Sequence, residues 1–240
     1  MKRIILMIFR NLFYAPVMWI RLNWYVKHKE KYSEDQIYAL LRDIVVHAVR
    51  GGNVEVRSYG VENIPAENGF IMYPNHQGLF DILAVLDTCP NNFRIIGKAE
   101  LTNTPLIKQV FALTDSYYID REDLRQSMEV IKNVTKDVKE GRNFVIFPEG
   151  TRSKQGNSLL EFKGGSFKAA QKAGCPIVPV AIADSYKVMD TNSTKRVTVK
   201  IAYLPPLLAS DYQGMKTTEI AEEVRSRIIQ KIQEMTGEDA

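Results

Sequence analysis

GFIMYPNHQGLFDILAVL, residues 69–86, is the stretch on which the reading of the chain turns. An apolar run, Gly69 to Met72, has strand character. A polar turn around Pro74 follows, and an apolar helical pattern then begins at Leu79 and runs to Leu86. The same alternation recurs on both sides. Strands are expected at Val54–Tyr59, Phe93–Ile96, Tyr117–Ile119, Asn143–Phe147, Ile177–Ile182 and Arg196–Tyr203. Helices are expected at Pro105–Leu113, Leu124–Glu140, Gly165–Ala173 and Thr217–Met235. An earlier helix is signalled by Ser33 and Gln36 as a capping box and Gly51 as a stop. Strands alternating with helices predict an α/β fold with a mostly parallel central sheet flanked by helices. Ligands in such sheets sit in the loops beyond the strand ends.

The turn Asn75-His76-Gln77-Gly78-Leu79-Phe80-Asp81 occupies such a loop. Five residues separate His76 from Asp81, about 140° on a continuous helix, so the two cannot share a helix face. They meet only if His76 lies in the turn and Asp81 opens the helix, where a carboxylate also suits the helix dipole. A carboxylate orienting an imidazole makes a general base. A nucleophile of the chain's own is harder to find. No G-x-S-x-G elbow is present, and Gly164-Gly165-Ser166-Phe167-Lys168 lacks the final glycine. Cys89 and Cys175 have no activating polar neighbours in sequence. The base is therefore expected to activate a hydroxyl on the substrate.

A second loop, Phe147-Pro148-Glu149-Gly150-Thr151-Arg152-Ser153, offers backbone donors, hydroxyls and a guanidinium to an anion, although a charged turn would read the same in isolation. Arg121 follows another strand. Lys98 and Lys163 are further cations, and each of the three in isolation reads more readily as a solvated surface charge.

Taken together, these blocks resemble the glycerolipid acyltransferase family, in particular its bacterial 1-acyl-glycerol-3-phosphate acyltransferases. NHQGLFD matches the N-H-x4-D signature, and FPEGTRS matches a further block at every position. YYIDR, PIVPV and FKGG look like the remaining blocks in order, so that the likeness runs from about Tyr59 to Ile182. The resemblance implies His76 as the base and Asp81 as its orienting partner. It places Arg121, Glu149, Gly150 and Arg152 on the glycerol-phosphate end of the acceptor, with Asn75, Lys98, Thr151 and Lys163 as further substrate-binding candidates. It sets the Pro176–Val180 strand along the apolar side of the site. The implied donor is a thioester, acyl-CoA or acyl carrier protein, and the implied product is phosphatidic acid. Three positions depart from the family pattern: Gly78 where serine is frequent, Asp115 and Ser116 where glycines are frequent, and Gly164 where a basic residue is common.

The bulk properties fit a single substantial domain. The chain has 240 residues, 45% of them hydrophobic, enough for a core. A net charge of +4 favours an anionic surface over an acidic protein partner, and no nucleic-acid partner is expected. Two scattered cysteines form neither a disulfide framework nor a metal knuckle. No metal and no cofactor is expected.

Residues 1–26, MKRIILMIFRNLFYAPVMWIRLNWYV, stand apart. Arg10 and Arg21 interrupt the apolar run, and no small-residue cleavage site follows, so a signal peptide is not expected. The longest charge-free stretch, Asn11 to Ile20, is too short to span a bilayer. Aromatic residues (Phe9, Phe13, Tyr14, Trp19, Trp24, Tyr25) stand among cations (Lys2, Arg3, Arg10, Arg21, Lys27), the composition of a segment lying in the headgroup layer. Pro16 is expected to split it into two short helices. Residues 1–32 are thus expected to dock residues 33–240 on the cytoplasmic face of the cell membrane. Two other classes compete: a catalytically silent lipid-binding protein and a lipid hydrolase.

Overall fold

The computed structural model describes residues 2–120 and 123–237. Its centre is a seven-stranded sheet made of β1 (Val54–Tyr59), β2 (Ile71–Pro74), β3 (Arg94–Lys98), β4 (Tyr117–Ile119), β5 (Phe144–Val145), β6 (Ile177–Ala183) and β7 (Val197–Tyr203). The spatial order is β1-β7-β6-β2-β5-β3-β4. The five strands from β6 to β4 run parallel, whereas β7 pairs with β6 antiparallel and with β1 in parallel. The expected mostly parallel sheet is found, with one reversed pair at one edge. Each expected strand is present. β5 is cut to two residues, because the chain leaves the ladder early to form the Phe147–Ser153 loop.

Helices cover both faces. Along β6 all seven residues are buried, and they alternate between two cores as the pleat requires. Val178, Val180 and Ile182 face α3 (Glu34–Gly51), α4 (Asp81–Thr88) and α5 (Ile107–Thr114). Ile177, Ala181 and Ala183 face α6 (Leu124–Lys139), α7 (Lys168–Ala173) and α9 (Thr217–Thr236). The capping box at the start of α3 is formed: Ser33 Oγ accepts from the Gln36 N–H and the Gln36 side chain accepts from the Ser33 N–H. Residues 176–180 do not line a cleft. From Ile177 onward they are core, because β6 is covered on both faces.

The N-terminal segment forms α1 (Lys2–Arg10) and α2 (Tyr14–Lys27), bent by 90°. The break falls at residues 11–13, ahead of Pro16, which instead sits in the first turn of α2 where its missing N–H costs nothing. Among the described residues, no single helix is long and apolar enough to cross a membrane; the bent pair together has the length and composition. Both helices are fastened to the domain. The Arg3 guanidinium is fully buried and donates to the carbonyls of Gly52 (2.7 Å) and Lys195 (2.8 Å). Met7 lies against Gly52, where a Cβ would stand 2.3 Å from its methyl. Met18 and Leu22 join Ile37, Leu40 and Leu41 of α3 in a third apolar cluster. Arg3 is therefore a structural pin and not one of the headgroup cations. Tyr14 and Tyr25 also turn inward, stacked on His47 and Tyr32. The opposite side is apolar and bare: Phe13 is 90% exposed, Phe9 73% and Ile20 69%, with Ile5, Ile8, Leu12, Trp19 and Trp24 beside them.

Candidate active site

The five parallel strands end along one side of the sheet, and the NHQGLFD and FPEGTRS loops meet there. His76 follows β2, and Asp81 is the first residue of α4. His76 Nδ1 lies 2.7 Å from Asp81 Oδ2. Asp81 is fully buried, while the His76 side chain keeps 22% of its surface exposed. The same Oδ2 accepts the N–H groups of Gln77 (2.7 Å) and Gly78 (3.0 Å), and Oδ1 accepts the Ser185 hydroxyl. A buried carboxylate is costly unless its lone pairs are filled, and here they are. The carboxylate accepts at Nδ1, so that nitrogen carries the proton and Nε2 holds the free lone pair.

The second loop grips the first. Glu149 Oε1 accepts the His76 N–H (2.6 Å), Glu149 Oε2 accepts the Leu160 N–H (2.9 Å), and the Ser153 N–H donates to the His76 carbonyl (2.8 Å). The Phe147 ring covers the imidazole at 4.3 Å. Glu149 was expected on the acceptor, but both its oxygens are taken by backbone donors and the residue is 2% exposed. Burial raises its carboxyl above the usual range, opposed by the two N–H donors. Asn75 is likewise turned inward: its amide pairs with both backbone groups of Ile182 (2.9 and 2.8 Å) and locks β2 to β6. Neither has a polar group left for a ligand, since secondary structure and loop closure consume them.

The remaining candidates face outward. Thr151 is exposed, and Gly150 adopts a left-handed φ of 73° that turns the chain towards it. Arg152 pairs with Asp190 across 3.2 Å. Lys98 closes β3 on the same sheet edge; Lys163 is exposed, and its N–H donates to the Pro148 carbonyl (3.0 Å), holding FKGG against FPEG. Arg121 lies outside the described residues.

Several partners were not foreseen. Buried Ser185 and Gln77 and half-buried Asn157 form a polar group behind the turn: Gln77 Oε1 accepts the Ser185 N–H (3.0 Å), and Gln77 Nε2 donates to Asn157 Oδ1 (2.9 Å). Ser185 comes two residues after β6, and that position beyond a parallel strand was the signal available for it.

The sequence matches the family described as Acyltransferase over residues 55–183, more than half of the chain and the span that holds His76, Asp81 and Glu149. The chain belongs to the acyltransferase family. It is 33% identical over 171 residues to the 1-acyl-sn-glycerol-3-phosphate acyltransferase of Salmonella typhimurium, covering 71% of this chain and 69% of that protein. The Escherichia coli enzyme of the same name is 34% identical over 171 residues, with the same coverage. Among solved structures, the 1-acyl-sn-glycerophosphate (LPA) acyltransferase PlsC from Thermotoga maritima superposes with a TM-score of 0.80 at 22% identity, covering 98% of this chain and 97% of that one; the fold is shared.

In this acyltransferase the departures from the family pattern have local causes. Asp190 fills the space above Gly78, its carboxylate 2.7 Å from where a Cβ would stand. Asp115 sits at a left-handed φ of 52°, which favours glycine, and its carboxylate pairs with Lys29 instead. At Gly164 a Cβ would stand 3.0 Å from the Thr218 backbone, under the start of α9. The cysteines fit the absence of a Cys–His nucleophile. Burial pushes the Cys89 thiol up to about 11 and the Cys175 thiol up to about 12.

Proposed function

We propose that this O-acyltransferase moves a fatty acyl chain from a thioester donor, acyl-CoA or acyl carrier protein, to the sn-2 hydroxyl of 1-acyl-glycerol-3-phosphate, making phosphatidic acid for phospholipid synthesis. The observation that carries the reading is a half-open imidazole on a fully buried carboxylate, in a chain whose relatives bear that name. His76 Nε2 takes the proton of the acceptor hydroxyl as its oxygen attacks the thioester carbonyl. Asp81 stabilises the imidazolium that forms. The tetrahedral intermediate collapses, the C–S bond breaks, and the imidazolium returns its proton to the departing thiolate. Arg152, Arg121 and Thr151 bind the acceptor phosphate, with Lys98 and Lys163 adding positive potential. A guanidinium suits phosphate because it donates a fork of hydrogen bonds. An exposed pair such as Arg152–Asp190 is worth only about 0–1 kcal/mol and is readily exchanged for a phosphate.

We further propose that residues 1–32 dock residues 33–240 on the cytoplasmic face of the membrane without crossing it. The bare apolar side of α1 and α2, flanked by exposed Lys2, Arg10, Arg21 and Lys27, supports this. Acceptor and product are both lipids, so a site at the bilayer surface spares them a passage through water.

A donor–acceptor matrix with purified protein in detergent, followed by mass spectrometry, tests the reaction. Phosphatidic acid should form only when both a thioester and the lysolipid are present. Free fatty acid released without acceptor would mean a hydrolase, and no thioester cleavage at all would mean a lipid-binding protein.

A further inference from the structure

We propose that Ser185 is a positioning residue of the His76–Asp81 pair, fixing the plane of the Asp81 carboxylate by donating its hydroxyl proton to Oδ1. The proposal rests on the acyl-transfer reading above and adds a third side chain to it. Asp81 has two oxygens with different duties. Oδ2 serves the reaction side, meeting His76 Nδ1 and the N–H groups of Gln77 and Gly78. Oδ1 points away from the cleft, and the Ser185 hydroxyl is its hydrogen-bond partner. Both residues are 0% exposed, so no bulk water replaces a lost donor.

Ser185 is itself held in place. Its N–H donates to Gln77 Oε1 at 3.0 Å, and its Oγ stands 3.3 Å from the same oxygen. The single hydroxyl proton therefore has two acceptors, and the charged one is Asp81. Gln77 is in turn tied to Asn157, which accepts the Asp184 N–H (2.9 Å) and donates to Asp184 Oδ1 (3.0 Å). The chain reaches Ser185 through Asp184 at a left-handed φ of 66°, then enters α8 (Tyr186–Met189). The charged groups around the pair are Glu149 on the far side of the His76 backbone, the Asp184–Lys187 pair, and the Arg152–Asp190 pair at the mouth. Of their side chains and that of Ser185, only the Ser185 hydroxyl is hydrogen-bonded to Asp81.

The chemical consequence has a sign. Without the hydroxyl, Oδ1 keeps its charge density unshared, and the carboxylate attracts the imidazole proton more strongly. The imidazolium is then favoured, and the acid limb of the rate profile moves to higher pH. The freed carboxylate can also rotate, which loosens the aim of Nε2.

The test uses the full-length protein, acyl-CoA and 1-acyl-glycerol-3-phosphate in detergent, with kcat and KM measured from pH 5 to 9. Ser185→Ala should lower kcat by roughly ten- to a hundred-fold with little change in either KM, and move the acid limb up by about half a unit or more. Ser185→Cys, similar in shape with a weaker donor, should fall between the two; it carries the test if the alanine variant does not fold by circular dichroism. In an Asp81→Asn background, Ser185→Ala should add less than about a twofold loss, because the residue acts only through that carboxylate. Wild-type kcat and an unmoved acid limb in Ser185→Ala, or a full additional loss in the Asp81→Asn background, would overturn the proposal. His76→Ala runs alongside: if it stays active, the acyl-transfer mechanism itself has failed, which is a different result from failure at Ser185 alone.

Discussion

The turn at residues 75–81 and the outer side of α1–α2 obey the same energetics to opposite ends. In the turn, the polar groups around His76 are buried and nearly every one is matched: Asn75 to Ile182, Asp81 to four donors, Glu149 to two. The one ring nitrogen left over is His76 Nε2, at the opening. On α1–α2 the excess is apolar, with Phe9, Phe13 and Ile20 standing mostly in solvent while Arg3 is buried beneath them. An orphan acceptor in a satisfied cradle marks where chemistry happens. An unmatched apolar surface on a pinned scaffold marks where a partner of low polarity belongs. The first region is tuned by what is satisfied, the second by what is not.

Removing one charge from the cradle should do the most damage. Asp81→Asn keeps the size but replaces an acceptor of four donors by an amide that must present its own N–H groups. Activity should fall by on the order of 10²-fold or more, in a protein that still folds, as followed by product formation and circular dichroism.

The platform should respond in binding and not in chemistry. Replacing Phe9, Phe13 and Ile20 together by serine removes side chains that each contribute about 1.5–3 kcal/mol when buried. Partition onto anionic vesicles should drop by on the order of 10²-fold or more, while turnover of a soluble short-chain acceptor stays near normal. High salt should weaken the wild type only in part, since it screens the cations and leaves the apolar contribution. Equal loss on both acceptors would mean that α1–α2 serves the fold and not the bilayer.

Glu149→Gln sharpens the contrast between holding and binding. The amide has one acceptor oxygen where the carboxylate has two, so the N–H of His76 or of Leu160 is left facing an NH2 group without an acceptor, at about 1–3 kcal/mol. The effect should appear in melting temperature and kcat, not in acceptor KM. Burial raises the Glu149 carboxyl in the folded chain above the usual carboxylate range. The folded state therefore holds that proton more tightly, and its contribution to stability, complete below the unfolded value, is lost as pH rises through the raised one. A pH series of melting curves should show that decline in the wild type and lack it in Glu149→Gln.

Arg152→Lys should give the smallest change, a several-fold rise in KM for the phosphate-bearing acceptor with the thioester KM unmoved. A shift in the donor KM alone would reverse the assignment of the two pockets.

Much of this was legible in the order of residues. Short apolar runs bounded by turns marked each strand of the sheet, and five-residue spacing required His76 in a loop and Asp81 at a helix start, as the structure has them. What the sequence could not disclose was direction. Glu149 and Asn75 look like ligand groups because carboxylates and amides usually face water; here each closes the backbone of a neighbouring segment more than 70 residues away. Arg3 reads as a headgroup cation until the carbonyls of Gly52 and Lys195 surround it. Ser185 has only its position after β6 to mark it, and its partner Asp81 becomes visible only when β6 is set beside β2.

The most direct measurement compares His76→Ala with the wild type on vesicles containing 1-acyl-glycerol-3-phosphate, with acyl thioester supplied and phosphatidic acid counted by mass spectrometry. A rate lower by at least about 10²-fold, with the fold and vesicle binding intact, is the predicted result. Near-normal phosphatidic acid formation by His76→Ala would contradict the account.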